Sequence, residues 1–179
     1  MTILAISGSL RKDSYNTALA RSLSALAPAG TTVTVASLAD IPLYNCDVET
    51  EAFPPAAQAF KDAIIAADAI VIVTPEYNRS VPGVLKNAID WASRPYGKNA
   101  FAGKLILIAG VSTGKIGTAV AQSHLRSILL HLDAQVLGKP ELYLGPAKEL
   151  FDEEGNLTDE PTRERLHEAL TALGNRFSA

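Results

Sequence analysis

The sequence contains one cysteine, Cys46, so an intramolecular disulfide and a metal cluster built on several thiolates are both excluded. Cys46 lies in a polar stretch, which suits an incidental thiol better than a catalytic one. Histidine is scarce as well. His124 and His131 stand seven apart on one helical face, too few ligands for a metal site, so an exposed or intersubunit face is expected there. No apolar run approaches the roughly 20 residues of a membrane-spanning helix. The chain begins as a strand rather than a basic leader, so no signal peptide is expected and the compartment is read as cytoplasmic. A net charge of −3 gives no support to a nucleic-acid surface.

Several nucleotide fingerprints are missing too. No G-x-G-x-x-G follows the first strand, which argues against a dinucleotide-binding unit. Gly114-Lys115 lacks the spacing of a Walker A loop, and Ile116 stands where Ser or Thr belongs. A receiver domain needs acidic residues after its first strand, where this chain has Ser7 and Gly8. A phosphatase of similar topology needs a cysteine there.

What the chain does have is 47% hydrophobic and 20% charged residues, the balance of one globular domain over residues 1–179. Thr2–Ser7 is continuously apolar, as in a strand buried on both faces. A helix follows from Tyr15 to about Ala27, stopped by Pro28 and Gly30. Thr32–Ala36 alternates as a strand; Leu38–Glu51 is a long connection. Pro54 and Pro55 open a second helix. Ala69–Thr74 is a strand, and a third helix has Pro82 in its first turn. Lys104–Gly110 is a fourth strand, followed by a helix carrying Ala121, Leu125, Ile128 and Leu129. Gln135–Tyr143 holds a last short strand bent at Pro140, and Pro161–Leu173 a last helix. Strands alternating with helices point to an α/β doubly wound fold. Five parallel strands in the order 2-1-3-4-5, with helices on both faces, would bring the loops after strands 1, 3 and 4 together at the switch point.

Those three loops are rich in polar and small residues. The first, Gly8 to Asn16, runs from a strand end into a helix N-terminus, where free N–H groups and the helix dipole attract anions. It adds the hydroxyls of Ser9 and Ser14, the amide of Asn16 and the guanidinium of Arg11. These suit a terminal phosphate, and they equally suit a capped helix after a turn. The second, Pro75-Glu76-Tyr77-Asn78, reads as a ledge for a flat heterocycle or as an ordinary Pro-initiated turn. The third, Ser112 to Gly117, is small and glycine-spaced ahead of a helix.

Taken together, Gly8-Ser9-Leu10-Arg11 with Ser14 and Asn16, Pro75-Glu76-Tyr77-Asn78, Ser80-Val81-Pro82-Gly83 and Leu85 through Trp91 resemble the NADPH-dependent FMN reductase family. The look is nearest to its chromate and quinone reductases, and it extends from the first strand to Gly145. The resemblance implies a flavodoxin-like fold and non-covalent FMN. Ser9, Arg11, Ser14 and Asn16 would hold the phosphate, and Pro75, Glu76, Tyr77 and Asn78 would border the ring. Ser112, Gly114 and Gly117 would line its pyrimidine edge, although the family often has Pro-Gly at Thr113-Gly114. It also implies hydride transfer from NADPH or NADH through FMN, by a ping-pong scheme, to a small-molecule acceptor. Quinones, chromate, azo dyes and ferric complexes are the acceptors considered. No catalytic side chain is singled out. A homodimer or homotetramer is implied, with no nucleic-acid or membrane partner. A flavodoxin-like electron carrier without turnover is the alternative, although −3 is a mild charge for an acidic docking face; a third reading is a scaffold that keeps FMN only for stability. Arg126 is read as an interface or surface ion-pair residue, His167 as solvated, and Trp91 as core or dimer contact. Arg79 and Arg94 read as surface residues that could also meet a 2′-phosphate.

Overall fold

The structure, a computed structural model, describes residues 1–178. Four long parallel strands form the centre: β1 (Thr2–Ser7), β2 (Thr32–Ala36), β3 (Ala69–Val73) and β4 (Leu105–Val111). They line up as β2-β1-β3-β4, with Ile3 opposite Val33 and Ala69, and Ile70 opposite Ile106. The edge beyond β4 is shared by β5 (Gln135–Val136) and β6 (Leu142–Leu144). The expected single bent strand is thus two short ones, both parallel to β4. Gly138-Lys139-Pro140 separates them, and a proline has no N–H to continue the ladder.

Period-two alternation divides the core into two layers. Ile3, Ala5, Val71, Val73, Leu107 and Ala109 face α1 (Tyr15–Leu26) and α7 (Glu160–Phe177). Leu4, Ile6, Ile70, Ile72, Ile106 and Ile108 face α3 (Pro55–Ala66), α4 (Gly83–Ala92) and α5 (Ala119–His131). All five residues of β3 are buried, which is why its sequence has no polar face. The order of the strands reverses between β1 and β3, so their carboxyl ends flank the switch point. Among the described residues no helix is long and apolar enough to cross a membrane.

The long connection after β2 is less irregular than expected. It contains α2 (Cys46–Glu51), capped by the Asn45 side chain accepting from the Asp47 N–H at 2.9 Å. Ahead of it, Pro42 and Tyr44 are fastened to α4. Asn87 Nδ2 and Trp91 Nε1 each donate to the Pro42 carbonyl at 2.8 Å, and Asn87 Oδ1 accepts from the Tyr44 N–H at 2.7 Å. Trp91 is therefore core, fully buried with Tyr44 and Phe53 packed edge-on against it. Glu49 accepts from Arg94 Nε at 2.9 Å and from the Tyr44 hydroxyl at 2.7 Å. The hydrogen bond from Arg94 holds the Glu49 carboxyl below its ordinary range. Arg94 is thus an ion-pair residue. The last short helix, α6 (Ala147–Leu150), leads by a turn into α7. His167, expected to be solvated, places Nδ1 2.8 Å from the Leu26 carbonyl and so joins α7 to α1. Arg126 donates to the Leu137 carbonyl at 2.6 Å, which occupies a backbone group between β5 and β6, and it forms no ion pair among the described residues.

Candidate functional site

The carboxyl ends of β1, β3 and β4 are stitched together directly. Gly8 N–H donates to the Val73 carbonyl at 2.8 Å, and Thr74 N–H to the Ala109 carbonyl at 2.9 Å. Ser112 N–H continues the row to the Leu144 carbonyl at 3.1 Å. The loops after the three strands therefore start from neighbouring points on one sheet edge. Glycine is required on that edge at Gly110, where a Cβ would lie 2.1 Å from Thr118 Oγ1 and 2.2 Å from the Thr74 carbonyl oxygen.

In the first loop, Ser14 is the N-cap of α1, and its hydroxyl accepts from the Thr17 N–H at 3.4 Å. The N–H groups of Tyr15 and Asn16, which open the helix, have no acceptor within it. Ser9 is buried and accepts from the Arg11 N–H at 3.3 Å, which curls the loop. The Arg11 guanidinium stands exposed, 5.8 Å from the centre of the Tyr15 ring. Asn16 is buried, and its amide is committed elsewhere: Nδ2 donates to the Val111 carbonyl at 2.9 Å and Oδ1 accepts from the Val111 N–H at 3.0 Å. Its side chain ties α1 to the end of β4, leaving its backbone N–H for an anion.

The second loop is a tight two-residue turn. Tyr77 and Ser80 exchange backbone hydrogen bonds of 3.2 and 3.0 Å, with Asn78 and Arg79 at φ 50° and 59° between them. Asn tolerates that left-handed region, whereas an arginine there is strained. The Arg79 guanidinium reaches Glu76 Oε1 at 3.3 Å. Glu76 Oε2 accepts from the N–H groups of Val120 and Ala121 at 3.0 Å each. It therefore caps α5 from 44 residues away, because Thr118, the local N-cap, turns its hydroxyl to Gln122 instead. Ser80 Oγ is 3.0 Å from His124 Nδ1, a second tie from this turn to α5. Tyr77 is left half exposed at the rim, with Asn78 beside it. Pro75 is buried beneath them; its Cδ would be 3.3 Å from a Cβ at Gly8.

The third loop is held by the Ser112 hydroxyl, which donates to the Gly114 carbonyl at 3.0 Å and accepts from the Gly114 N–H at 3.2 Å. A Cβ at Gly114 would meet only Ser112 Oγ, at 3.9 Å, an ordinary contact. Gly117 is more crowded: it sits at φ 68°, and a Cβ would meet the Tyr143 carbonyl carbon at 2.7 Å. The three loops singled out in the sequence thus leave from one sheet edge. What the sequence could not show were the ties through Asn16 and Glu76, which join residues 95 and 44 positions apart.

The donor set fits a phosphate monoester. Two buried serines, a guanidinium with no ion pair among the described residues and a capped helix N-terminus gather in eight residues, Ser9 to Asn16. Asp13 is the one carboxylate in the stretch, and it is exposed. A cleft of 610 Å³ opens alongside, walled by Arg11 to Tyr15 and by the acidic turn Asp152–Asn156. The carboxylates on its far side would repel an anion, which makes the start of α1 the better place for a phosphate than the cleft itself.

Known proteins are similar to this chain in sequence and in fold. Residues 1–149 match the family model described as NADPH-dependent FMN reductase. An NAD(P)H-dependent FMN reductase of Pseudomonas aeruginosa is 49% identical over 171 residues, covering 96% of this chain and 92% of its own. A 2-hydroxy-1,4-benzoquinone reductase of a Burkholderia species is 47% identical over 166 residues, covering 93% and 90%. Among solved structures, FerB of Paracoccus denitrificans, a flavoenzyme NAD(P)H:(acceptor) oxidoreductase, superposes with a TM-score of 0.90 at 40% identity, covering 99% of this chain and 97% of that one. On the fold, the three loops and these matches, the chain belongs to the NADPH-dependent FMN reductase family.

Proposed function

We propose that this protein is an FMN-dependent NAD(P)H oxidoreductase whose acceptors are quinones and similar small molecules. The observation that carries the reading is the donor set at the start of α1, set beside two loops that open from the same sheet edge. Bound FMN would supply two-electron transfer between a reduced nicotinamide and the acceptor. The chain's own residues do the rest. Ser9, Arg11, Ser14 and the backbone N–H of Asn16 hold the phosphate. Pro75, Glu76, Tyr77 and Asn78 border the ring, with Glu76 fixing the turn against α5. Ser112, Gly114 and Gly117 line the ring's polar edge, where Ser112 and Gly114 shape the loop with their own N–H groups held by the Leu144 carbonyl and the Ser112 hydroxyl. No side chain is needed as acid, base or nucleophile.

The names of the relatives support quinones over other acceptors; chromate, azo dyes and ferric complexes remain within reach of an open flavin, and NADPH or NADH could serve as donor. The sequence holds no second nucleotide fingerprint, so donor and acceptor use the same flavin face in turn. Purified protein should show flavin absorbance, bleach rapidly on NADPH without oxygen, and recover its colour on adding a benzoquinone. Double-reciprocal plots should be parallel. Slow bleaching with intersecting lines would favour an electron carrier, and a colourless protein that cannot be reconstituted would refute the assignment.

Residues 1–179 work as one domain in the cytoplasm. Leu43, Tyr96 and Leu130 are among the most exposed large apolar residues, which supports a symmetric homodimer or homotetramer. Light scattering should give the mass of two or four chains at micromolar concentration, and the mass of one chain would refute this.

A further inference from the structure

A second cleft, of 730 Å³, shares no lining residue with the three loops. It lies between α3 and the segment that joins α4 to β4. Its walls are Phe53, Ile65 and Pro95, and its charge comes from Lys61, Lys98 and Lys104. The one carboxylate that lines it, Glu49, is occupied by Arg94 and Tyr44. Lys104 spends its ammonium on the carbonyls of Ile65 and Ala67, at 2.7 Å each. Lys61 is different. It is 5% exposed, its ammonium donates to the Arg94 carbonyl, and the ring centre of Phe53 is 5.8 Å away. Among the described residues Lys61 makes no ion pair.

Buried lysines are rare, and a carbonyl and a ring face offset little of the cost of desolvating a full charge. Burial pulls the Lys61 pKa down, and the charge of Lys98 pulls it further, against weaker opposition from Asp62 and Glu49. An anion beside Lys61 would offset that cost. Flat apolar walls beside two ammonium groups specify its other half, a ring.

We propose that this cleft binds a small ring-bearing carboxylate, its carboxylate between Lys61 and Lys98 and its ring against Phe53 and Pro95. The site is independent of the flavin loops. Its volume lies within the range of small-molecule sites. Two ammonium groups suit one monoanion, and the apolar walls disfavour an ion that carries no hydrocarbon.

The test is a titration of the isotope-labelled, flavin-loaded chain with 2-naphthoate, followed by amide chemical shifts. Saturable shifts are expected at Phe53, Lys61 and Lys98, with a dissociation constant below about 1 mM. Lys61→Met should weaken binding about tenfold, the worth of one charge-assisted hydrogen bond. Lys98 is exposed, so Lys98→Gln leaves the fold intact and should weaken binding as well. Neutral 2-naphthamide should bind at least about tenfold more weakly than the carboxylate. Equal binding of the amide, or no saturation, would overturn the proposal. Inorganic phosphate binding as tightly at the same residues would make this a bare anion site and overturn it too. Shifts confined to residues 9–16, 75–80 and 112–117 would place the probe at the flavin loops and would equally overturn it.

Discussion

Gly110→Ala should destabilise the protein by about 3 kcal/mol, the upper part of the range for overpacking a filled interior. The added methyl would start 2.1 Å from Thr118 Oγ1 and 2.2 Å from the Thr74 carbonyl oxygen. Neither neighbour can step aside. Thr118 is fully buried, and its hydroxyl accepts from Gln122 Nε2 at 3.0 Å. Thr74 is fully buried and fixed by its N–H bond to the Ala109 carbonyl. Gly110 itself is paired with Tyr143 of β6. The strain therefore falls on β4, at the point from which the third loop leaves, and flavin binding should weaken with stability. Gly114→Ala is the control. Its nearest neighbour is Ser112 Oγ at 3.9 Å, so the cost should stay within about 0.5 kcal/mol. Urea midpoints of the two variants make the comparison. Similar losses in both would mean that the sheet edge is more pliant than its contacts indicate.

The two glycines also show what kind of information the sequence carries. Gly110 closes the apolar strand and Gly114 stands four residues on in the loop, yet at neither position does the local sequence say whether a Cβ could fit. Gly110 is required because β3, β6 and α5 converge on it, and that convergence exists only in the fold. The strands were legible for the opposite reason. Ala69–Val73 is buried on both faces, so its chemistry is uniform along the chain and needs no partner to be read. The alternation of strands and helices gave a parallel sheet, and the number of strands matched the doubly wound order 2-1-3-4-5. Glu76 illustrates the limit. In the sequence it is one polar residue of a turn, whereas in the structure it caps a distant helix through the N–H groups of Val120 and Ala121. Asn16 is similar, since its amide serves the backbone of Val111 on another strand. α2 did leave a local signal, Asn45 followed by Asp47 and Glu49 in the first turn, but six residues are too few for periodicity to register.

Arg11→Ala should lower the affinity for FMN by about 10- to 150-fold, or 1.5–3 kcal/mol, and leave the affinity for riboflavin unchanged. The difference between the two ligands is the phosphate alone, so the pair isolates what Arg11 does. In the parent protein the phosphate should be worth about a thousandfold, because on the proposed assignment it would meet a guanidinium, two hydroxyls and the start of a helix at once. Arg11 also touches the Tyr15 ring, which packs in turn on Phe151 at 5.3 Å. Were that contact its main role, the variant would loosen the loop and weaken riboflavin as well as FMN. Arg11→Lys separates charge from shape: it keeps the cation but loses the planar fork, so it should recover part of the FMN affinity. Added salt should narrow the gap between parent and variant, since the guanidinium is exposed and its attraction to the phosphate is screened. Fluorescence quenching of each flavin on titration with protein measures all of these. Equal FMN affinity in parent and Arg11→Ala would place the phosphate elsewhere, and with it the assignment of Ser9 and Ser14.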